Sequence, residues 1–325
     1  MQKTTWIRMG ITLGAAGVLA WRLPPVRLIA EFRQLDVMQL LPAASCVLAM
    51  LAVRAYKWHA LLSHGEPGAR AEDSLRSLLG GFALALAIPG RLGEFGRCLF
   101  TPPGQRHRAL LLNALDRLLD MWALLTVGVA SLFVVVRFPA AIFGVGVWLA
   151  AMPLLVGLPA LLATFVNLPP WPEGLRARLA AAASQLIAMR VRRFAVLSVA
   201  STALDLMLFY FLLRAFYPVG FDAALATFPW IVIAGGLPLS INGFGVREGV
   251  AALLLARYGL SPAAAADVGL LLFTFSCLLP AVAGGIWLLA SGSSAHGQWP
   301  SELETIGKGI WNSLRPAATR PANAL

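Results

Sequence analysis

Residues 87–97 read AIPGRLGEFGR, and residues 236–249 read GLPLSINGFGVREG. Both stretches interrupt long apolar runs with proline, glycine and charged side chains. Unpaired backbone groups and charges are costly inside a bilayer, so broken helices persist there only where they line a protein-enclosed space. A matched pair of breaks, one in each half of the chain, therefore predicts a transport site near the middle of the membrane.

The composition favours a membrane protein over a soluble one. The 325 residues are 59% hydrophobic and 13% charged, whereas a soluble domain carries about 25% charged residues. Apolar runs long enough to cross a bilayer recur along the chain, and they are continuous rather than alternating. The sequence therefore predicts an all-α polytopic membrane protein with about six full spans and two broken segments.

The other compositional signals narrow the class of function. The net charge is +11, but Lys and Arg cluster between spans and no nucleic-acid-binding motif is found, so anionic headgroups and topology explain the charge. The three Cys and four His lack the spacing of metal ligands. Neither a Walker A motif nor a nucleophile elbow is found. We therefore expect no metal, no cofactor, no nucleic-acid partner and no enzymatic activity.

The apolar pattern divides the chain into spans and connections. Residues 1–290 are predicted to form a single membrane domain, with a retained first span rather than a cleaved signal peptide. A basic amphipathic helix is predicted over 175–193, and the tail, 291–325, is predicted to contain an interfacial helix over 301–314. The broken segments cover 75–100 and 222–258. The full spans are predicted over 4–21, 41–62, 109–136, 140–166, 194–217 and 262–290.

The two broken segments occupy similar positions in the two halves. Pro89 precedes Asp116 by 27 residues, and Pro238 precedes Asp267 by 29. We interpret residues 41–136 and 194–290 as inverted-topology repeats, each with a re-entrant hairpin, linked by the span 140–166 and the helix 175–193. The alternative is that both segments are ordinary spans kinked by Pro and Gly.

Loop charge predicts the orientation. Arg-rich residues 97–108 and 174–193 are separated by two full spans, so they fall on one side, which the positive-inside rule makes cytoplasmic. This predicts that both termini lie on the cytoplasmic side of the membrane, which we expect to be a bacterial inner membrane. The three Arg within 22–40 fall on the outer side and count against this orientation.

Residues around the two breaks are the candidate site. Guanidinium groups would bind a phosphate, Ser and Asn would donate neutral hydrogen bonds, and the two Glu would hold the arginines, bind a cationic headgroup or carry a proton. The alternative is that Arg and Glu only pair with each other. The candidate substrate-binding residues are Arg91, Glu94, Arg97, Ser240, Asn242, Arg247 and Glu248. The candidate turn residues are Pro89, Gly90, Gly93, Pro238, Gly243 and Gly245.

Further charges stand within the spans as candidate supporting residues. Asp116, Arg117 and Asp120 share one face of a helix, either as a second layer behind the first break or as an interfacial cluster. Asp205 stands deep in its span and needs a partner from another helix.

We expect three more charges to lie at the water interface. Arg54 and Lys57 end the second predicted span, where their long side chains would extend to the headgroups. Asp267, five residues into the last predicted span, is expected to be exposed.

The chain resembles the flippase-like membrane region of lysylphosphatidylglycerol synthases, also called multiple peptide resistance factors, and their stand-alone relatives. The resemblance rests on residues 89–97, 115–120 and 237–249 and covers nearly the whole chain. The family often has Glu at the position of Asp116 and Gly at that of Asn242. The resemblance implies lipid translocation between leaflets. Because the resemblance does not include the soluble aminoacyl-transferase domain of the bifunctional members, we expect no synthesis of aminoacyl lipid.

The leading hypothesis is thus translocation of a phospholipid or lipid-linked headgroup through a central polar cavity between the two hairpins. The partners would be membrane lipids, with an anionic or lipid-linked headgroup, and a lipid-modifying enzyme. An alternative is a membrane-embedded transferase, or an accessory subunit of one, that acts on lipid-linked glycans or lipids. A third hypothesis is a membrane adaptor without transport activity.

Overall fold

The computed structural model describes most of the two predicted repeats. Its described residues are 36–64, 70–87, 89–101, 106–136, 191–236, 243 and 245–290. At 86, 87, 89–93, 107, 133–136, 191 and 288–290 only the backbone is described. The predicted spans over 4–21 and 140–166, nearly all of the helix over 175–193 and the tail helix over 301–314 lie outside these residues.

The described part of the chain is helical and contains no strand, as the all-α prediction requires. A 3₁₀ turn, Val37–Gln39, precedes the first helix. The helices are α1 (Leu40–Ser63), α2 (Ala71–Ala87), α3 (Arg106–Val136), α4 (Val191–Phe216), α5 (Phe221–Gly236), α6 (Val246–Leu255), α7 (Pro262–Phe273) and α8 (Leu279–Ala290). A 3₁₀ segment, Pro89–Phe100, follows α2, a 3₁₀ turn, Ala256–Tyr258, follows α6, and a π turn, Thr274–Leu278, joins α7 to α8.

Three described helical stretches are long and apolar enough to cross a membrane, so the chain is a membrane protein. They are Val37–Ser63, Arg192–Phe216 and Pro262–Trp287, and they coincide with the second, fifth and sixth predicted spans. The sixth is predicted over 262–290, and in the structure the π turn interrupts its α-helix. The count of six spans stays a prediction.

The first broken segment folds back on itself, which defines the first hairpin as α2 and the 3₁₀ arm Pro89–Phe100. The Ser77 hydroxyl donates to the Arg97 carbonyl at 2.8 Å, and Gly81 leaves the space that the Arg97 side chain occupies. Gly80 similarly faces the ring of Phe100. These contacts bring the two arms together along their length, which favours a hairpin over a kinked span.

The second broken segment also places its two arms side by side, which defines the second hairpin as α5 and α6. A Cβ at Gly235 would lie 3.3 Å from that of Arg247. Gly243 has φ +77°, and a Cβ there would lie 2.3 Å from the Gly235 carbonyl oxygen. The turn therefore needs glycine at 243. Entry from opposite sides, the repeat boundaries and the inverted symmetry stay predictions.

This close approach predicts that Gly243→Ala destabilises the protein. The left-handed backbone and the clash with a carbonyl should together lower the free energy of unfolding by about 2 kcal/mol or more. Gly249→Ala is the control, because a Cβ there meets no atom of the described residues within 4 Å and alanine favours the helix. Denaturation in detergent micelles compares the two variants; equal stability would show that the turn does not depend on glycine at 243.

Apolar packing holds each hairpin. One buried cluster surrounds the first hairpin and includes Trp58, Leu78, Phe82 and Leu115. A second surrounds the second hairpin and includes Phe209, Phe228, Leu255 and Leu272. Because apolar contacts enclose both hairpins, charged side chains between them are shielded from water and need partners within the protein.

Candidate functional site

Asp116 is the centre of a buried charge cluster behind the first hairpin. Its carboxylate lies 2.6 Å from Lys57 Nζ, 3.0 Å from Arg97 Nη1 and 2.8 Å from Arg117 Nη2. The side chains of Lys57 and Arg97 are each 1% exposed, and that of Asp116 is 2% exposed. One carboxylate therefore pairs with cations on three elements and links α1, the 3₁₀ arm and α3 to one another.

Arg117 connects this cluster to Glu94 of the hairpin. Its Nη1 donates to Glu94 Oε2 at 2.6 Å, and its Nη2 lies 3.2 Å from Asp120 Oδ2. Lys57 Nζ also lies 2.5 Å from Asp120 Oδ1. Asp116 and Arg117 thus contact Arg97 and Glu94 of the first hairpin, and Asp120 pairs with Arg117 and Lys57.

Arg97 is enclosed rather than presented to an open space. Its guanidinium carbon lies 5.4 Å from the centre of the Trp58 ring and 5.7 Å from that of Phe82. Trp58 in turn donates to Ser77 at 3.2 Å. Arg97 was a predicted phosphate ligand. Its surroundings favour a supporting role instead, because cation–π contacts and Asp116 already compensate its charge.

Arg54 and Lys57 correct the expectation that they extend to the headgroups. Lys57 is buried in the Asp116 cluster. Arg54 Nη2 donates to Asp205 Oδ2 at 2.6 Å, and its Nε donates to Ser201 Oγ at 3.0 Å. Asp205 thus has the partner from another helix that its depth required. The sequence did carry a signal for this burial: the two cations lie three residues apart, on one face of a long apolar helix.

The second hairpin holds its own ion pair. Arg247 and Glu248 begin α6, with Arg247 Nε 3.6 Å from Glu248 Oε1. Glu248 Oε2 accepts a hydrogen bond from the backbone N–H of Gly245 at 2.6 Å and so caps the helix. The guanidinium of Arg247 also lies over the ring of Phe273, 4.9 Å from its centre. Glu248 therefore has a structural role that holds Arg247 in place.

Asp267 corrects the expectation of an exposed carboxylate, because it is fully buried on α7. Gly269, two residues further along α7, packs on the second hairpin: a Cβ there would lie 3.3 Å from the Cα of Glu248. Residues 263–267 therefore lie in the protein interior, although their position at the start of the predicted last span indicated a helix end near water.

A polar cavity lies between the two hairpins. Glu94 of the first and Arg247 of the second both border it, together with Arg54, Arg117 and Asp205. Three guanidinium groups and two carboxylates therefore face one space. The volume open to the centre of a water molecule is about 80 Å³, which is enough for several waters at about 10–15 Å³ each. A lipid headgroup would need the cavity to widen.

The remaining wall of the cavity is apolar or weakly polar. It includes Phe82, Phe228 and Leu272, and Ser276 and Cys277 of the π turn. Short π segments inside helices are frequent at functional sites. The π turn therefore brings a hydroxyl and a thiol to a space that is otherwise bordered by charged and apolar side chains.

Several predicted site residues fall outside what the structure describes. Ser240, Asn242 and Pro238 lie outside the described residues, and so does the side chain of Arg91. The backbone of Pro89, Gly90 and Gly93 lies in the 3₁₀ arm. Gly245 has φ +82°, a conformation that glycine adopts without strain, which agrees with its prediction as a turn residue.

Comparison with known proteins identifies the family. Residues 5–284 match the family described as the lysylphosphatidylglycerol synthase TM region. No curated protein matches the chain. The match includes both hairpins and every residue that borders the cavity. The chain therefore belongs to the lysylphosphatidylglycerol synthase transmembrane-region family and is a membrane protein with a lipid-related function.

Proposed function

We propose that this protein moves a phospholipid or a lipid-linked headgroup between the two leaflets of a bacterial inner membrane, with both termini in the cytoplasm. The observation that carries the proposal is the cavity that Glu94 and Arg247, one from each hairpin, border together. A headgroup that leaves water must gain partners of comparable strength within the protein. Guanidinium groups supply these partners to a phosphate.

The charge on the cavity wall favours an anionic headgroup. Three arginines border the cavity, compared with two carboxylates, Glu94 and Asp205. Charge-assisted hydrogen bonds from arginine are shorter and stronger than neutral ones, and the planar guanidinium matches a phosphate. The headgroup would therefore bind between the hairpins while the acyl chains stay in the lipid.

The supporting network gives the wall a fixed geometry. Asp116 and Asp120 hold Arg117, and Glu248 holds Arg247, so the guanidinium groups are positioned before a lipid arrives. Preorganised partners lower the cost of binding. In this proposal Arg97 and Lys57 are positioning residues, and the protein works without catalysing a covalent step. A lipid-modifying enzyme would be its partner.

Leaflet-resolved lipid movement in proteoliposomes tests the proposal. We expect the purified protein to speed the loss of inner-leaflet fluorescent phosphatidylglycerol to an outside quencher well above the rate in empty liposomes. Fluorescent phosphatidylcholine, whose headgroup carries no net charge, tests the preference for an anion. No acceleration with any lipid, with or without a proton gradient, would contradict the proposal, and lipid modification by the purified protein would support the transferase alternative.

A further inference from the structure

We propose that Arg54 is a headgroup-binding residue and that Ser201 and Asp205 position it. The inference rests on the proposed function for its ligand, the phosphodiester of an anionic lipid. Arg54 was not among the residues that the sequence motifs indicated, and it lies on α1, outside both hairpins.

Arg54 has the geometry of a prepared anion ligand. Nε donates to Ser201 and Nη2 to Asp205, at 3.0 and 2.6 Å, which fixes the plane of the guanidinium. Within the described part of the chain, its Nη1 has no hydrogen-bond partner. The side chain borders the cavity and is 17% exposed. A fixed guanidinium with an unused amino group at a polar cavity can donate to a phosphate without breaking its existing pair.

Arg117, another arginine of the cavity wall, differs in this respect. Both amino groups of Arg117 are bound to carboxylates, Nη1 to Glu94 and Nη2 to Asp116 and Asp120. A phosphate at Arg117 would have to compete with these carboxylates. Arg54 has one carboxylate partner within the described residues and keeps an amino group available. An incoming anion should therefore bind to Arg54 more readily than to Arg117.

The depth of Arg54 fits this role. It lies about 21 Å from the start of α1 and about 14 Å from its end, at roughly 1.5 Å a residue. Asp205 lies in the middle of α4, another membrane-spanning helix. The pair therefore stands where a headgroup is furthest from water and needs a protein partner most.

The natural thiol of Cys277 reports on the same cavity. In a Cys46→Ala/Cys98→Ala background, Cys277 is the one thiol left. The experiment measures its reaction with a small uncharged thiol reagent, with the protein in nanodiscs of phosphatidylglycerol or of phosphatidylcholine. We expect the reaction to be several-fold slower in phosphatidylglycerol, because its bound headgroup shields the thiol, whereas phosphatidylcholine carries beside the same phosphodiester a quaternary ammonium that the three wall arginines repel.

The decisive variant is Arg54→Gln/Asp205→Asn, which removes both charges of the pair and leaves neither buried alone. We expect the two lipids to give equal Cys277 rates in this variant. Arg54→Lys keeps the charge but loses the planar guanidinium, so it should retain part of the difference in Cys277 rate between the two lipids. Arg214→Gln is the control, since Arg214 is exposed at the end of α4, and it should keep the full difference.

The outcome separates this inference from the proposed function. If the double variant keeps the full protection by phosphatidylglycerol, Arg54 does not bind the headgroup, whatever the protein transports. If the protection depends on Arg54 but proteoliposomes show no lipid movement, the binding site stands and translocation fails.

Discussion

Replacing Asp116 with asparagine is expected to lower the free energy of unfolding by about 3–5 kcal/mol, the usual cost of removing one partner from a buried ion pair. Asp116 contacts Lys57, Arg97 and Arg117 within 3.0 Å. Without its charge, two fully buried cations lose a principal carboxylate partner. The three elements that these cations tie together should then separate more easily.

Asp120→Asn is the matched control for this prediction. Asp120 stands one helical turn away and contacts two of the same cations, but its side chain is 21% exposed. The loss should therefore be smaller, on the order of 1 kcal/mol. Unfolding in detergent micelles, followed by tryptophan fluorescence, measures both variants. If the Asp116 variant is as stable as the Asp120 variant, the cluster does not hold the first hairpin.

Replacing Arg247 with glutamine is expected to slow lipid translocation roughly ten- to a hundredfold. A hydrogen bond to a charged group contributes about 1.5–3 kcal/mol, and each 1.36 kcal/mol is about tenfold in rate. Arg247 brings this contribution to the cavity from the second hairpin, whereas Glu94 borders it from the first. The measurement is the rate of fluorescent phosphatidylglycerol movement in proteoliposomes.

Two further variants make the result specific. Arg257→Gln removes an exposed arginine just beyond α6 and should leave the rate unchanged. Arg247→Gln/Glu248→Gln leaves no unbalanced carboxylate, and the amide oxygen can still cap Gly245, so a folding defect is less severe than in the single variant. If the double variant inserts normally and transports at the original rate, Arg247 has no part in moving the lipid.

The sequence was sufficient to locate both hairpins because backbone chemistry constrains them. Proline cannot continue the hydrogen-bonding pattern of a helix, and Gly243 takes a backbone angle that other residues avoid. A charge in an apolar run must also be compensated. These rules place Glu94, Arg247 and Glu248 in the interior without knowledge of the tertiary structure, and the structure buries all three.

The choice of partners could not be predicted in the same way. The depth of Asp205 required a cation, but Arg54 precedes it by 151 residues, and only the packing of α1 on α4 selects it. Lys57 shares its helix with Arg54 and pairs with a different helix. Burial of Asp267 likewise depends on how α7 packs against the second hairpin. Pairings between distant residues follow from tertiary structure, which a single sequence does not show.

The sequence pattern also did not predict the π turn. Residues 262–290 are largely apolar, and Pro280 indicates a disturbed helix because it lacks an N–H, but their periodicity does not place a break at Thr274–Leu278. The break nevertheless brings Ser276 and Cys277 to the cavity. A thiol at this position makes the cavity accessible to direct chemical blockade.

Blockade at Cys277 tests most directly whether lipid headgroups cross through the cavity between the hairpins. The Cys46→Ala/Cys98→Ala variant is reconstituted, its remaining thiol is modified to completion with a bulky reagent, and phosphatidylglycerol movement is measured before and after. Cys277→Ala in the same background controls for other effects of the reagent. We predict that modification reduces translocation to the rate of empty liposomes and that the Cys277→Ala control is unaffected. Undiminished translocation by fully modified protein would contradict passage through this cavity.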